Sequence, residues 1–199
     1  MHVLVRLHRA IPRLRAWIDD LLATHRHNGI PVSSLGFDRL PTYFPLPILD
    51  SAQIVAISPV PVPPVEQFHL REFLPLTTAS LAGITYRDVI FVQEGMVTES
   101  LCFHELVHVV QWTALGVDAF LLCYGFGFLD HGYAGAPMEA IAYEKQRHFD
   151  DWMPMPALVE TVVEHANQQR TLAALEYARV GVACGAFYEA DSVKSRPSE

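Results

Sequence analysis

The chain has 199 residues, 51% of them hydrophobic and only 18% charged, a length that suits one domain with a sizeable core. Its 22 acidic and 14 basic side chains give a formal net charge of −8, which argues against a nucleic-acid backbone as a partner. Charged Arg6 and Arg9 lie where a signal peptide has its apolar core, and the longest apolar run, 119–129, is too short to cross a membrane.

The N-terminal part of the chain predicts one long helix followed by a proline-rich segment. Apolar residues at helical spacing predict an amphipathic helix from Arg9 to His27. Eight of the fourteen prolines lie between residues 30 and 65, so only short extended pieces fit there. The best strand candidate is 53–58, and 58–65 is expected to be polyproline-like, a stiff connector that wraps the domain.

The central part predicts strands that lead into a buried helix. Residues 81–92 are rich in β-branched and aromatic types and predict one or two short strands, the clearer being 88–92. Thr98 is a suitable N-cap and Gly116 a suitable C′ residue, so the helix that follows is expected to run between them.

The C-terminal part predicts three more helices. Asp118 can cap a helix over 119–129, and 130–136 is expected to be a loop. Pro137 is well placed as the first residue of a helix that runs to about Trp152. A last helix is expected from 158 to 180, with Leu172 and Leu175 among its core-facing apolar residues, and a disordered tail is expected over 191–199.

The predicted helix 98–116 contains His104-Glu105-Leu106-Val107-His108. Residues four apart share one face of an α-helix, so His104 and His108 can bind one Zn²⁺ through neutral ring nitrogens. Glu105, about 100° round the helix, can reach a metal-bound water instead of the metal. The pattern therefore predicts two zinc ligands, an open coordination position and a carboxylate base.

The surroundings of this motif are apolar. Nearly all other residues from 101 to 110 are hydrophobic, and a helix that is apolar almost all round is buried. Buried His104, Glu105 and His108 need partners, and a metal would supply one. The alternative is a buried helix whose histidines form hydrogen bonds with neighbouring backbone groups.

A catalytic zinc site needs a third protein ligand. The candidates downstream are Asp118, Asp130, His131, Glu139, Glu144 and His148. Glu139 fits best, because it lies 31 residues after His108, in the first turn of a helix that follows a loop. A glutamate at a helix start is also commonly only a partner of the helix dipole, so the spacing leaves both alternatives open.

Two segments resemble the gluzincin metallopeptidases. They are 103–111, Phe-His-Glu-Leu-Val-His-Val-Val-Gln, and 135–144, Gly-Ala-Pro-Met-Glu-Ala-Ile-Ala-Tyr-Glu. They are most similar to small bacterial domains with an HExxHxxQ helix and a later Pro-x-Glu-x-x-Ala segment. The resemblance covers about a third of the chain, and it implies that His104, His108 and Glu139 bind zinc and that Glu105 is the general base.

The resemblance also suggests neighbours of the zinc. The best-known gluzincins carry an Asp four residues after the ligand Glu, but Tyr143 occupies that position here and Glu144 follows it, so Glu144 stays an alternative ligand or a neighbour of the ligands. Gln111, one turn beyond His108, is a candidate support, and so is Tyr143. Tyr133, and with less support His131, are candidates for stabilising the oxyanion.

Three cysteines, Cys102, Cys123 and Cys184, lie far apart without CxxC spacing. Their odd number and apolar surroundings are typical of reduced core residues in a cytoplasmic protein without a transmembrane segment. We do not expect any of them to act as a nucleophile or a ligand.

Together the elements predict an α+β, mostly helical fold, and the resemblance implies a minimal zincin-like domain with a small β-sheet packed beside the HExxH helix. The expected domain spans 1–190, with a helix and proline-rich wrap over 1–80, a metal-site core over 81–152 and a C-terminal helix over 156–181. The expected function is zinc-dependent hydrolysis of peptide bonds in a peptide or protein substrate, by a zinc-bound water that Glu105 activates. The alternative is a structural or regulatory zinc module with a silent site.

Overall fold

The computed structural model describes residues 1–78 and 81–187, so the tail predicted over 191–199 lies outside the described residues. The described residues form an α+β, mostly helical fold, as predicted. The helices are α1 (Val3–His25), α2 (Leu46–Ser51), α3 (Leu74–Thr78), α4 (Glu99–His131), α5 (Pro137–Asp150) and α6 (Leu158–Arg179). The strands are β1 (Ile30–Pro31), β2 (Gln53–Ala56), β3 (Gly83–Tyr86) and β4 (Val89–Val92).

The strands form one mixed sheet in the order β1-β2-β4-β3. Strands β2 and β4 pair in parallel, with Ile54 opposite Ile90, while β3 and β4 pair antiparallel, with Ile84 opposite Phe91. All four residues of β4 are fully buried, which explains why its sequence is apolar without alternation. The predicted strands at 53–58 and 88–92 are confirmed, and β3 lies at an edge of the sheet.

Helix α4 begins as predicted and consists of two helical segments joined by a kink. The Thr98 hydroxyl accepts a hydrogen bond from the Leu101 N–H at 3.2 Å and caps the helix. Gly116 interrupts the helix as predicted, with φ +71° and ψ 171°, and the second segment continues to His131. Asp118, expected as a cap of a separate helix, instead accepts hydrogen bonds from the Arg15 guanidinium of α1.

Helix α4 is also the most apolar part of the chain. By length and composition alone it could cross a membrane, with a mean hydropathy of 1.6 over its most apolar 18 residues, although polar residues interrupt its apolar runs. Within the structure 67% of that window is buried, as in the core helix of a globular protein.

Helix α1 begins six residues earlier than predicted. Leu4 and Leu7 continue the buried row that runs through Ile11 and Leu14, so the apolar face of the helix is longer than the sequence analysis proposed. Pro12 lies inside this helix on its exposed side, where the hydrogen bond lost to the proline ring can be replaced by water.

Two further features differ from the predictions. The proline-rich segment contains α2, because Pro45 and Pro47 lie at its N-terminal end, where proline needs no N–H donor. In the second half of α6 the expected core residues Leu172 and Leu175 are 50% and 59% exposed, and small Ala173 faces the core instead.

Replacing Gly116 by Ala is expected to destabilise the protein by about 1–3 kcal/mol, since its backbone angles are essentially restricted to glycine. No atom lies within 4 Å of an added Cβ there, so the cost comes from the backbone and not from a clash. Gly185→Ala is the control, because Gly185 has equally open space and no positive φ. Equal chemical-denaturation midpoints for the two variants would contradict this explanation.

Candidate metal centre

Helices α4 and α5 bring three predicted ligands together in the core. His104 and His108 share one face of α4, and Glu139 projects from the first turn of α5, which Pro137 starts. The two Nε2 atoms lie 3.2 Å apart, and Oε2 of Glu139 is 3.5 Å from the first and 3.4 Å from the second. All three side chains are buried.

This triangle has the dimensions of one face of a coordination tetrahedron. An ion with bonds of 2.0–2.1 Å to nitrogen and oxygen holds its tetrahedral ligand atoms about 3.4 Å apart. Oε2 of Glu139 is buried and has no hydrogen-bond partner, although a buried carboxylate oxygen without one is costly. The residues therefore fit a metal ion bound at this point.

Tyr124 determines which oxygen of Glu139 is available. Its hydroxyl donates a hydrogen bond to Oε1 at 2.8 Å, so Oε2 alone points towards the two imidazoles. The carboxylate is thereby presented as a single ligand atom, and three protein ligands leave a fourth tetrahedral position open.

Gln111 fixes the tautomer of His108. Its amide nitrogen donates to the carbonyl oxygen of Met138 at 2.9 Å, so its amide oxygen must face Nδ1 of His108, 2.8 Å away. Nδ1 then carries the proton and Nε2 offers its lone pair to the centre of the triangle.

Gln146 supports His104 in the same way. Its amide oxygen lies 3.0 Å from Nδ1 of His104, and its nitrogen donates to the Ser100 hydroxyl at 3.0 Å. Both imidazoles are thus held by neutral amides and not by carboxylates.

The electrostatics of the triangle also favour a cation. Burial disfavours an imidazolium at His108, but the Glu139 carboxylate outweighs burial and raises the pKa of His108 to about 9. Burial likewise raises the pKa of Glu139, yet the two imidazoles bring it well below its usual range. A proton and a metal ion therefore compete for the same atoms.

Glu105 belongs to the same site but is not part of the triangle. Its Oε2 accepts a hydrogen bond from the Thr85 hydroxyl of β3 at 2.7 Å. Gly83 lies two residues earlier on the strand and has no side chain. A Cβ atom at this position would lie 2.7 Å from Oε1 of Glu105. The edge strand therefore holds this carboxylate in place beside the ligands.

The triangle and Glu105 open onto one cleft with about 570 Å³ of empty space, including the open solvent at its mouth. Strand β3 forms one wall over its whole length, and Pro63 of the proline-rich segment contributes to the rim. Tyr133, from the loop between α4 and α5, also lines the cleft.

The remaining predicted residues have different positions. The Tyr143 ring lies 4.6 Å from the His104 ring, centroid to centroid, and is 44% exposed. Glu144 is exposed and pairs with Lys145 at 2.7 Å, so it is not among the clustered ligand atoms. His131 is exposed and pairs with Asp130 at 3.1 Å, and it does not line the cleft.

The sequence analysis missed three contributors, Thr85, Tyr124 and Gln146. Gln146 is seven residues after Glu139, on the same face of α5, so helical spacing could have identified it. Thr85 is one of few polar residues in its strand, which is a weak signal. Tyr124 follows the break at Gly116, so its direction relative to His108 could not be derived from spacing.

The three cysteines are buried free thiols, as expected of reduced core residues. Burial raises the pKa of Cys102 and of Cys123 to about 12, which makes both poor nucleophiles at neutral pH.

Comparison of the chain with models of protein families, with curated proteins and with solved structures found no match.

Glu139→Gln is expected to lower the affinity for zinc more than about 100-fold, since it removes the only charged ligand, a larger effect than that of a supporting residue. Glu144→Gln is the matched control and should leave the affinity unchanged. Competition with a chelator measures both. A comparable loss in the two variants would show that Glu139 is not a ligand.

Gln146→Leu is expected to lower zinc affinity about 10- to 100-fold, because it removes the acceptor that orients His104. Gln146→Glu retains an acceptor at that position and should restore binding. The same chelator competition measures the zinc affinity of both variants. The melting temperatures of the metal-free proteins test whether the fold is intact. Wild-type affinity in the leucine variant would contradict the role of this amide.

Proposed function

We propose that this protein is a zinc-dependent peptidase. The observation that carries the proposal is the position of Glu105. This residue supplies none of the three clustered ligand atoms, yet it lines the same cleft. A purely structural site has no use for a buried carboxylate at this point, whereas hydrolysis needs a general base beside an open position.

Zinc is the metal that the ligand set favours. Two imidazole nitrogens and one carboxylate oxygen, three ligands with an open tetrahedral position, are typical of catalytic zinc sites. Zinc bound there would act as a Lewis acid and lower the pKa of a water molecule towards 7.

In this proposal Glu105 moves the proton. It takes a proton from the attacking water and passes it to the leaving nitrogen of the substrate. The Thr85 hydroxyl holds Oε2 during both steps, so the carboxylate does not turn away between them.

The edge strand supports a peptide as the substrate. Among the described strands β3 has a neighbour on one side only, and it lines the cleft beside the ligands. An extended chain can pair with the free edge and so place a peptide bond at the metal. The outward backbone groups of β3 belong to Gly83 and Thr85, because Ile84 and Tyr86 pair with β4. The Thr85 carbonyl is already used by the Trp112 indole at 3.1 Å, which leaves the Thr85 N–H and the backbone groups of Gly83 for the substrate.

Tyr133 is the proposed donor to the oxyanion. Burial raises its pKa above the ordinary value, and the nearby Glu139 adds to the shift, so the phenol keeps its proton at neutral pH. A neutral phenol in the cleft can donate a hydrogen bond to a developing negative charge.

A structural or regulatory zinc module is the second candidate. It is favoured by the burial of the ligands and of Glu105, whose exposures are 3–5%. A gluzincin relationship and a cytoplasmic location remain part of the proposal.

Glu105→Gln separates the two candidates. The amide is nearly isosteric and leaves the three ligands intact, so zinc content and melting temperature should stay at wild-type values. Hydrolysis should fall by about 10²–10⁴-fold, since the amide cannot accept the proton.

The assay exposes a blocked peptide library to wild type, Glu105→Gln and the control Glu144→Gln, and mass spectrometry identifies new termini. Cleavage by wild type and by Glu144→Gln alone supports the peptidase. Cleavage by Glu105→Gln at the wild-type rate rejects the mechanism, and a library left intact by all zinc-loaded proteins favours the module.

A further inference from the structure

Away from the metal triangle and the tyrosine hydroxyls, the walls of the cleft are mainly apolar. Three separate parts of the fold supply them: α3, the start of β3 and both halves of α4. The large side chains are Leu76, Leu81, Ile84, Trp112, Phe120 and Leu121.

Two aromatic rings in the lining of the cleft pack against each other. The Trp112 and Phe120 rings stack with centroids 3.8 Å apart, and the Trp112 indole N–H is already bonded to the Thr85 carbonyl. Its polar group is therefore satisfied, and it presents only ring surface to a bound molecule.

The cleft offers no free charge to a substrate. Among the described residues that line it there is no Arg, Lys or Asp, and its only carboxylates are Glu105 and Glu139. Glu139 belongs to the metal triangle, and Glu105, whose Oε2 accepts from Thr85, is the proposed base, so an ammonium group bound to either would block the proposed reaction.

This absence restricts the substrate. The strong partners of a C-terminal carboxylate are Arg and Lys, and the strong partner of an N-terminal amine is a free acid. A charged side chain or terminus would lose its hydration in this cleft without gaining a partner. A large apolar side chain, in contrast, would bury its surface against the walls.

We propose that the cleft selects an internal peptide bond flanked by a large apolar side chain, in an extended chain, and rejects charged side chains and free termini. This inference rests on the proposed peptidase function, and it makes the protein an endopeptidase for apolar segments of unfolded chains.

Binding tests the inference separately from catalysis. Zinc-loaded Glu105→Gln protein is titrated by calorimetry with acetylated and amidated pentapeptides, Ala-Ala-X-Ala-Ala, in which X is Leu, Phe, Ala, Glu or Lys. A dipeptide of Ala and Leu with both termini free is included. We expect Leu and Phe to bind about 10- to 200-fold more tightly than Ala. Glu, Lys and the free dipeptide should bind more weakly than Ala.

A charge introduced into the wall should change the preference. Leu121→Arg, in the same Glu105→Gln background, is expected to lower the affinity for the Leu peptide at least about 10-fold. The Glu peptide should then bind more tightly than the Leu peptide. Leu172→Arg, which adds the same charge at an exposed position on α6 outside the cleft, is the control and should leave the ranking unchanged. Zinc content is measured for every variant.

Several outcomes would overturn the inference. These are tighter binding of Glu, Lys or the free dipeptide than of Leu, no binding of any peptide, or an unchanged ranking in a folded, zinc-loaded Leu121→Arg. Cleavage of the peptide library by the wild-type protein tests the same preference without the Leu121→Arg variant. Cleavage mainly beside charged residues would reject the inference and leave the peptidase proposal standing. If the Leu peptide binds best but wild type does not cleave it, the peptidase proposal fails while the selectivity of the cleft stands.

Discussion

The site depends on one electrostatic constraint: three electron pairs of buried side chains converge on one point. The lone pairs on Nε2 of His104 and His108 face Oε2 of Glu139 at 3.2–3.5 Å, and no hydrogen-bond donor satisfies that oxygen. Such an arrangement is unfavourable unless a cation lies between the atoms. The packing of α5 against α4 forces this convergence, so the metal site and the helical core are parts of one structure.

The groups around this triangle are neutral. Gln111 and Gln146 hold the imidazoles, and Tyr124 holds the ligand carboxylate. A carboxylate in either amide position would draw the Nδ1 proton towards itself and make the imidazole a stronger donor to the metal. With amides there, the imidazoles remain ordinary neutral ligands, and we expect a bound ion to keep more of its positive charge for polarising a substrate.

The sheet completes the site through the strand that lines the cleft beside the ligands. Strand β4 is fully buried and serves the core, whereas its neighbour β3 uses one face to orient Glu105 through Thr85 and lies along the cleft. Gly83 is needed in this strand because any side chain would collide with the Glu105 carboxylate. The same short strand therefore positions the proposed base and offers an edge to an extended chain.

The sequence alone determined features that depend on local spacing. The helical period places His104 and His108 on one face, Thr98 and Gly116 mark where α4 begins and bends, and Pro137 starts the helix that carries Glu139. It also predicted the strands at 53–58 and 88–92, although it missed α2 and chose the wrong buried residues for the second half of α6.

Only the tertiary structure decided which distant groups meet. Glu139, and not Glu144, lies beside the two histidines because of the way α5 packs on α4. Thr85, Tyr124 and Gln146 each contact a residue of the site that belongs to another helix, strand or helical segment. Spacing along the chain holds information about directions within one helix or strand, but contacts between elements follow from packing, which no local pattern specifies.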